Sequence, residues 1–448
     1  MSKLFIFWRN VSDSTLLIVN ALAYTLATLF VYRRSRMFSA GFIICAFFAA
    51  VAWGGVLFHG HPLFYSFVGT SGYDGEALTY LFVTLAVFAV PLVTVGNRRY
   101  TRAVLPNESI LVKTIKVVLV IQIIQYVVMF PAVVKVLMSS NLGYARDDSY
   151  DTAEIVQFPF YALNILNRLY MGMRNVMIII AFYALVFEKS HRTLIKIFFI
   201  SSAAFPIYYY TAYVSRAVMM QELLFIVVLI ALLAGFIKVS MMRKSALYLC
   251  IVAVPIVIAF IAISNSRFGE LASYMFYRYL GEPMVNYAGE LWPYLTGHTG
   301  GDAYFSLFSK FMGESLNFDT TVEKWDYMKG VTGIDAHIFY TFVGGLNIEF
   351  GYRWTLLIGV LLSGLIMKVT RPYNVMTLPK LIIIGMLAYT FINGAYIFVL
   401  QGDGGNLEIL FTIFFAYYFH RFSSDRYVEC PAKRQFDSLI IRREVDKK

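Results

Sequence analysis

Long runs of apolar residues alternate along most of the chain with shorter polar connections. A run of about 20 apolar residues is long enough for a helix to cross the hydrocarbon core of a bilayer. We therefore predict about 11 transmembrane helices in an all-α polytopic membrane protein. The runs lie at 14–32, 38–58, 77–96, 114–138, 161–187, 194–212, 218–237, 246–264, 354–368, 379–400 and 405–420.

The connections between these runs alternate in charge. Odd-numbered runs are followed by basic segments such as RRSR at 33–36, NRRYTR at 97–102 and KVTRPYN at 368–374. Even-numbered runs are followed by segments with few basic residues, such as QGDGGN at 401–406. Because Lys and Arg are concentrated in cytoplasmic loops, this alternation predicts an N-terminus outside the cell and a C-terminal tail inside.

One connection is far longer than the others. Residues 265–353 separate the eighth and ninth runs, and the alternation places them outside the cell. A structureless loop of this length is uncommon, and SRFGELASYMFYRYL has apolar residues at helical spacing with many tyrosines. We expect a compact helical subdomain at the level of the lipid headgroups. The predicted organisation is 1–264 with helices 1–8, 265–353, 354–420 with helices 9–11, and a basic cytoplasmic tail at 421–448.

Composition agrees with a membrane protein. Of the 448 residues, 59% are hydrophobic and only 15% are charged, whereas soluble proteins are closer to half apolar. The net charge of +11 reflects the basic loops, and no soluble segment has the basic face with interleaved aromatic residues typical of nucleic-acid binding. The three cysteines have neither disulfide nor metal spacing. We predict no metal site and no nucleic-acid partner.

Arginines on the outer side are the first candidates for chemistry. Arg216 lies in the short hairpin YVSRA between the sixth and seventh runs. Arg168 and Arg174 lie in the outer half of the fifth run, about 240° apart around a helix. Arg267 and Arg278 belong to the large loop and are about three helical turns apart.

Two interpretations of these arginines remain open. The planar guanidinium donates two parallel hydrogen bonds to phosphate and keeps its charge, which favours a pocket for pyrophosphate or an acidic sugar. Alternatively, interfacial arginines extend to lipid headgroups or pair with an acid such as Glu222 or Glu270. For Arg216 we favour the binding role, because a headgroup contact does not require so short a hairpin.

A general base is the second requirement of group transfer. His337, two residues after Asp335, is the first candidate, and Glu270 is the second. The alternative for His337 is a loop histidine with a structural hydrogen bond. His59 and His61, in FHGHP, form too short a pattern to indicate a metal site, and we interpret them as part of a polar loop.

Several features together resemble a known family. They are the many runs, the hairpin arginine in VSRAVMM, the large outer loop, and NIEFGYRWTLLIGVLLSGLI at its exit. This arrangement resembles the bacterial O-antigen polymerases, the Wzy-type polymerases of oligosaccharide repeat units. In that family an acidic residue, an aromatic residue and a glycine often open the span after the loop, as Glu349, Phe350 and Gly351 do here. The layout from His337 to Gly351 is similar to that of the related O-antigen ligases, with Ile338 where ligases have Asn.

The resemblance implies a GT-C-type glycosyltransferase of the bacterial inner membrane whose active site faces the periplasm. It would transfer the growing glycan from undecaprenyl pyrophosphate to the next undecaprenyl-pyrophosphate-linked oligosaccharide, without a metal, nucleotide or other cofactor. Arg216, Arg267 and Arg278 would hold the pyrophosphate, with Arg168 and Arg174 as further partners, and His337 or Glu270 would be the base. Whether a chain-length regulator also binds is left open.

Two alternatives remain. An O-antigen ligase would deliver the glycan to the lipid A core. A flippase for the same lipid-linked unit belongs to another class, and it needs charged residues facing a cavity across several spans. The predicted spans hold few internal charges apart from Arg168 and Arg174, with Glu222 near one outer end, which disfavours the flippase.

Overall fold

The computed structural model describes residues 12–35, 39–64, 72–96, 100–138, 160–213, 215–237, 254, 257–258, 261, 264–265, 268–313, 316, 318, 321–336 and 338–430. Helices dominate the described residues, as the apolar runs predict. The first seven are α1 (Asp13–Ser35), α2 (Ala40–His59), α3 (Gly75–Val95), α4 (Glu108–Leu137), α5 (Tyr161–Phe187), α6 (Arg192–Ala212) and α7 (Arg216–Leu233). The later ones are α8 (Ala272–Asn286), α9 (Ser306–Phe311), α10 (Thr321–Thr332), α11 (Thr341–Val369), α12 (Leu378–Gly394) and α13 (Gly402–Arg421).

The prediction of a polytopic helical membrane protein is confirmed. Among the described residues, 8 helices are long and apolar enough to cross a membrane, namely α1–α6, the segment Val218–Phe236 and α11. α12 is apolar but shorter, and α13 is not among these 8. The predicted span at 246–264 lies almost entirely outside the described residues. The predicted number of 11 spans therefore stays a prediction.

A small sheet departs from the prediction of helices alone. Its strands are β1 (Arg102–Pro106), β2 (Val375–Thr377) and β3 (Ser423–Glu429), in the order β2-β1-β3. β1 pairs in parallel with β2 and antiparallel with β3. Each strand lies in a connection that the charge pattern predicts to be cytoplasmic, and β3 occupies the start of the predicted tail. The pairing fits a common side for these three connections.

The chain divides into two compact units. The first comprises Met1–Thr94, Ala262–Ile366 and Leu387–Leu407, and the second comprises Val95–Ile261, Met367–Met386 and Glu408–Lys448. The described part of the large loop thus belongs to the same unit as α1, α2 and most of α3. It contains α8–α10 and the first part of α11.

The first helix of the large loop is longer and more deeply buried than predicted. α8 continues through a π-helical turn, Tyr287–Leu291, and one more helical turn, Trp292–Tyr294. We call residues 272–294 the loop helix. The sequence predicts a helix at the headgroup level, yet residues 281–289 are all buried. The reason is packing against α2, because a Cβ on Gly281 would overlap the carbonyl oxygen of Gly54.

A kink at Gly351 divides α11. Its φ of 75° and ψ of 168° are not helical, and this left-handed φ favours glycine. Residues 341–349, before the kink, are all buried, whereas many residues after it are exposed. The predicted ninth span at 354–368 therefore corresponds to the part of α11 after the kink. The part before it belongs to the folded interior of the first unit.

The second unit has a polar interior between apolar helices. α4, α5 and α6 pack together, and the buried Gln122 amide of α4 donates hydrogen bonds to Tyr170 Oη at 2.6 Å and Ser202 Oγ at 3.2 Å. Tyr126 Oη of α4 donates to the Ser201 carbonyl at 2.8 Å. Because the bilayer core offers no water to satisfy polar groups, such bonds hold neighbouring membrane helices in register.

Candidate functional site

Arg278 lies on the loop helix and forms a two-point ion pair. Its Nε is 3.0 Å from Glu282 Oε2, and its Nη2 donates to Glu282 Oε1 at 3.1 Å. The Glu282 side chain is only 5% exposed, whereas that of Arg278 is 35% exposed. Asn286 Nδ2 also donates to Glu282 Oε1, at 3.1 Å. The buried carboxylate therefore fixes the guanidinium while Arg278 keeps a face open to solvent.

Two carboxyl groups and a tyrosine interact electrostatically farther along the loop helix. Glu290 lies in the π-helical turn and is half-buried. Burial raises the pKa of the Glu290 carboxyl, and the nearby charge of Asp335 raises it further. The pKa of buried Tyr340 is raised by burial, then by Glu290 and Asp335. Because π-helical turns displace side chains and frequently occur at functional sites, this turn makes Glu290 a candidate proton acceptor.

A histidine that the sequence analysis set aside lies beside the same helix. The His61 ring centroid is 5.3 Å from that of Tyr274 and 5.8 Å from that of Tyr277. The Leu63 N–H donates to His61 Nδ1 at 3.2 Å, which leaves Nε2 for another partner. Tyr274 is one helical turn before Arg278 and is close enough for the arginine charge to act on its phenol. His61 therefore borders the surface that carries Arg278.

A second polar cluster of the first unit is structural. Glu349 of α11 is fully buried and accepts hydrogen bonds from Thr299 Oγ1 at 2.6 Å, from Gly301 N at 2.8 Å and from Tyr304 N. These bonds hold the turn at 299–304 against α11. Glu349 is the acidic residue of the motif that carries the family resemblance, and in this chain its contacts are those of an anchor.

Lys324 of α10 lies next to this anchor. Its Nζ is 4.8 Å from the centroid of the Tyr304 ring and donates to Gln401 Oε1 at 3.3 Å. Burial lowers the pKa of Lys324 to about 8, and the charges of Glu349 and Asp403 oppose this shift. Lys310 forms an ion pair with Asp403 at 3.0 Å. These contacts join the described part of the large loop to the segment at 398–407.

The second unit contains a group of buried charges. Arg174 is the central residue of the 27-residue helix α5. Its Nη2 is 3.4 Å from Glu222 Oε1 of α7, and its Nη1 donates to Tyr210 Oη at 2.6 Å. Asn175 donates its amide to Glu408 Oε1 of α13. Arg174 and Glu222 are therefore buried charges inside candidate membrane helices, and Glu408 of α13, which the sequence analysis did not consider, interacts electrostatically with both.

The structure locates four of the seven predicted site side chains. Arg278 and Arg174 each have an acidic partner, which is the alternative that the sequence left open for them. Glu270 is exposed in the short 3₁₀ turn Gly269–Leu271, and Arg168 is exposed on α5. Both lie apart from the buried groups described above.

The other three predictions cannot be compared with the geometry. Arg216 begins α7, but its side chain lies outside the described residues. Arg267 and His337 also lie outside the described residues. The predicted convergence of Arg216, Arg267, Arg278 and His337 therefore stays a prediction.

Sequence reasoning missed Glu282, Glu290, His61 and Glu408. The contact of Glu282 could have been predicted from local spacing, because Glu282 follows Arg278 by four residues and such pairs meet on one helical face. Glu290 and Asp335 are 45 positions apart, and only the folded loop brings them together. Comparison with protein-family models, curated proteins and solved structures found no match to this chain.

Proposed function

We propose that this protein is a membrane glycosyltransferase that polymerises lipid-linked oligosaccharide repeat units. The observation that carries the proposal is on the loop helix. A guanidinium fixed by a buried carboxylate, Arg278 with Glu282, is followed three turns later by Glu290, a half-buried carboxyl with a raised pKa. Metal-independent glycosyl transfer needs these two functions, a fixed cation and a base.

The reaction can be written for these groups. The hydroxyl of the incoming unit attacks the anomeric carbon of the growing glycan, which forms the new C–O bond. The bond from that carbon to the pyrophosphate oxygen breaks, and the pyrophosphate leaves with both electrons. Arg278 stabilises the charge that develops on the leaving group. Glu290 accepts the proton of the attacking hydroxyl, and its raised pKa makes it a stronger base than an ordinary glutamate.

The resemblance supplies the remaining roles. Arg267 would complete the pyrophosphate site. The other arginines that the resemblance implies, Arg216, Arg168 and Arg174, belong to the second unit and stay predictions. His337 stays an alternative base, two residues from Asp335. Glu270 is a weaker alternative, since its side chain is exposed to water rather than held in a site. The substrate and the acceptor are both undecaprenyl-pyrophosphate-linked oligosaccharides, and the site would face the periplasm of a bacterial inner membrane.

The test uses the purified full-length protein in detergent with lipid-linked repeat units. Wild-type protein should lengthen the glycans. Arg278→Gln should lose at least 10-fold of this activity, about 1.4 kcal/mol of transition-state stabilisation. Arg353→Gln, which removes an exposed arginine of α11, is the matched control and should retain the activity.

A folding defect must be separated from a chemical one. Arg278→Gln leaves the buried Glu282 charge without its partner, which is destabilising. The double variant R278Q/E282Q removes both charges, so it should recover thermal stability without recovering activity. Full-length glycans from a folded R278Q/E282Q protein would refute the role of Arg278.

A flippase is the second candidate, and the buried charges of the second unit favour it. Arg174, Glu222 and Glu408 lie inside helices, as charged residues of transporters do. The detergent assay separates the two functions, because transport is impossible without a closed membrane. Glycans that stay at one repeat in detergent, while the same protein moves lipid-linked units across vesicle bilayers, would favour the flippase.

A further inference from the structure

One cluster of buried charges in the second unit, Arg174 with Glu222 and Glu408, does not balance among the described residues. Arg174 and Glu222 have side chains that are 6% and 2% exposed, and Glu408 is 5% exposed. Arginine keeps its positive charge in proteins. Arg174 pairs with Glu222, and Glu408 interacts electrostatically with both of them. One cation therefore serves two carboxyl groups, and full ionisation of both would leave one net negative charge in this cluster.

The described groups around this cluster include no second cation, because the other buried cation of the unit, Lys380, donates to the carbonyls of Pro372 and Val375. Helix α5 contributes Arg174 and the neutral amide of Asn175. Helix α6 contributes the phenols of Tyr209, Tyr210 and Tyr213, which interact with Arg174 or with each other. Among the residues that the structure describes, neither oxygen of the Glu222 carboxyl accepts a hydrogen bond. An ionised Glu222 would therefore have only Arg174, at 3.4 Å, to replace its lost hydration.

The free-energy cost of the unbalanced state is large. Moving a carboxylate from water into a low-dielectric interior is strongly unfavourable, and a large penalty remains after the surroundings relax. Two carboxylates that share a site also repel, which strongly favours a proton on one of them. Placing one proton on the pair reduces the interior charge to zero.

We propose that Glu222 and Glu408 bind one proton between them, so that the second unit contains a proton-binding site. The charge of Arg174 stabilises the ionised member, Glu222 through the ion pair or Glu408 at longer range, and the protonated member can donate a hydrogen bond. The site does not depend on the proposed glycosyl transfer, which uses residues of the first unit. It gives the helices α5, α7 and α13 two states that differ by one bound proton.

A metal ion fits this cluster less well than a proton. Hard cations such as Ca²⁺ take six to eight oxygen ligands. In the described part of the chain, no group of three or more His, Cys, Asp or Glu side chains could hold a metal ion. The guanidinium of Arg174, 3.4 Å from Glu222, would also repel a second cation.

Infrared spectroscopy of the purified full-length protein in lipid nanodiscs tests the proposal. A protonated carboxyl has a C=O absorption separate from that of a carboxylate, and a buried one should appear near neutral pH in the wild-type protein. Glu222→Gln should remove this band, because Glu408 then ionises and its charge is balanced by that of Arg174. Glu408→Gln should remove it for the reciprocal reason. A wild-type protein without the band, or a band that survives in both variants, would overturn the proposal.

Glu188→Gln is the matched control. Glu188 is also buried in the second unit, but its Oε1 accepts three hydrogen bonds, from Lys189 N, Ser190 N and Ser190 Oγ. Its carboxylate is therefore satisfied as an anion, and its replacement should leave the band in place. Loss of the band in Glu188→Gln would assign the proton to Glu188 and would contradict the shared site.

Thermal unfolding gives a second readout that does not rely on the band. Each single Gln variant mimics the protonated acid and keeps the interior neutral, so its Tm should stay within a few degrees of wild type. The double variant E222Q/E408Q removes both described carboxylates from around Arg174, so its Tm should fall well below those of both single variants. Equal losses in both single variants and the double variant would contradict a neutral shared site.

Discussion

Arg278 and Arg174 illustrate two uses of a paired arginine. Both have an acidic partner, but the Arg278 side chain is 35% exposed and that of Arg174 only 6%. A partly exposed guanidinium that is held by a buried carboxylate can still bind an anion from solvent. A buried guanidinium instead balances negative charge inside the protein. The exposure of the side chain, rather than the presence of an acidic partner, therefore distinguishes Arg278, the candidate anion-binding residue, from Arg174, the structural one.

The first prediction at this scale concerns Glu290. A base must be ionised, so the rate of glycan extension should rise with pH through the raised pKa of Glu290 and level off above it. Asp335→Asn removes the negative charge that helps to raise this pKa, so the acidic limb of the profile should move to lower pH. Glu290→Gln should lower the rate of glycan extension at least 100-fold and abolish its rise with pH. The measurement is the pH dependence of kcat in detergent.

One result for the Asp335→Asn variant would contradict the role of Glu290. A limb that keeps its position in Asp335→Asn would mean that Glu290 is not the titrating base. His337 would then be the next residue to examine, because it is the base that the family resemblance implies.

Local spacing explains which site residues could be predicted. Arg278 and Glu282 are four apart on one helix, so their contact could be inferred once the helix was predicted. The contact of Arg174 with Glu222 joins two helices and depends on how α5 and α7 pack. The displacement of Glu290 follows from a π-helical turn, for which the sequence NYAGELWPY offers no established signal.

At the scale of elements, the approach of the loop helix to α2 depends on small residues. Gly281→Ala would place a methyl group against the Gly54 carbonyl, and the overlap involves backbone atoms that cannot rotate away. We expect a loss of about 1–3 kcal/mol in the free energy of unfolding. Because the loop helix carries Arg278 and Glu290, glycan extension should fall as well. Thermal unfolding and the extension assay measure the two effects.

Gly330 provides the control for that substitution. It lies in α10, and a Cβ there would meet no atom within 4 Å. Gly330→Ala should therefore be neutral or stabilising by about 0.5–1 kcal/mol, since glycine destabilises a helix interior. Equal losses in both variants would show that the close approach at Gly281 has no special importance.

The elements themselves could be predicted to different degrees. Apolar runs of about 20 residues located α1–α7 well, because length and hydropathy are local properties. The sheet was missed, since β1 has 5 residues and β2 only 3, and their partners are far away in the chain. The burial of the loop helix was also missed. Its tyrosines suggested an interface, but Gly281 and Gly54 decide its packing.

At the scale of the whole molecule, the charge pattern predicts which side of the membrane each connection occupies. A cysteine replacing Asp425 in β3 should be protected from a membrane-impermeant thiol reagent in intact cells. A cysteine replacing Lys329 in the large loop should be labelled. Both positions are exposed, so protection would report the side rather than burial. Cys45, Cys250 and Cys430 must first be replaced, and the reverse labelling pattern would invert the proposed orientation.

The sheet also constrains how many times the chain crosses the bilayer between its strands. Strands can pair only when an even number of bilayer crossings lies between them. The chain leaves β2 through α12 and returns to β3 through α13, so these two helices must both traverse the bilayer or both fail to do so. Among the described residues between β1 and β2, α4–α7 and α11 make five candidate traverses, and five is an odd number. If all five helices cross the bilayer, the pairing of β1 with β2 predicts one further crossing, and the apolar run predicted at 246–264 would supply it.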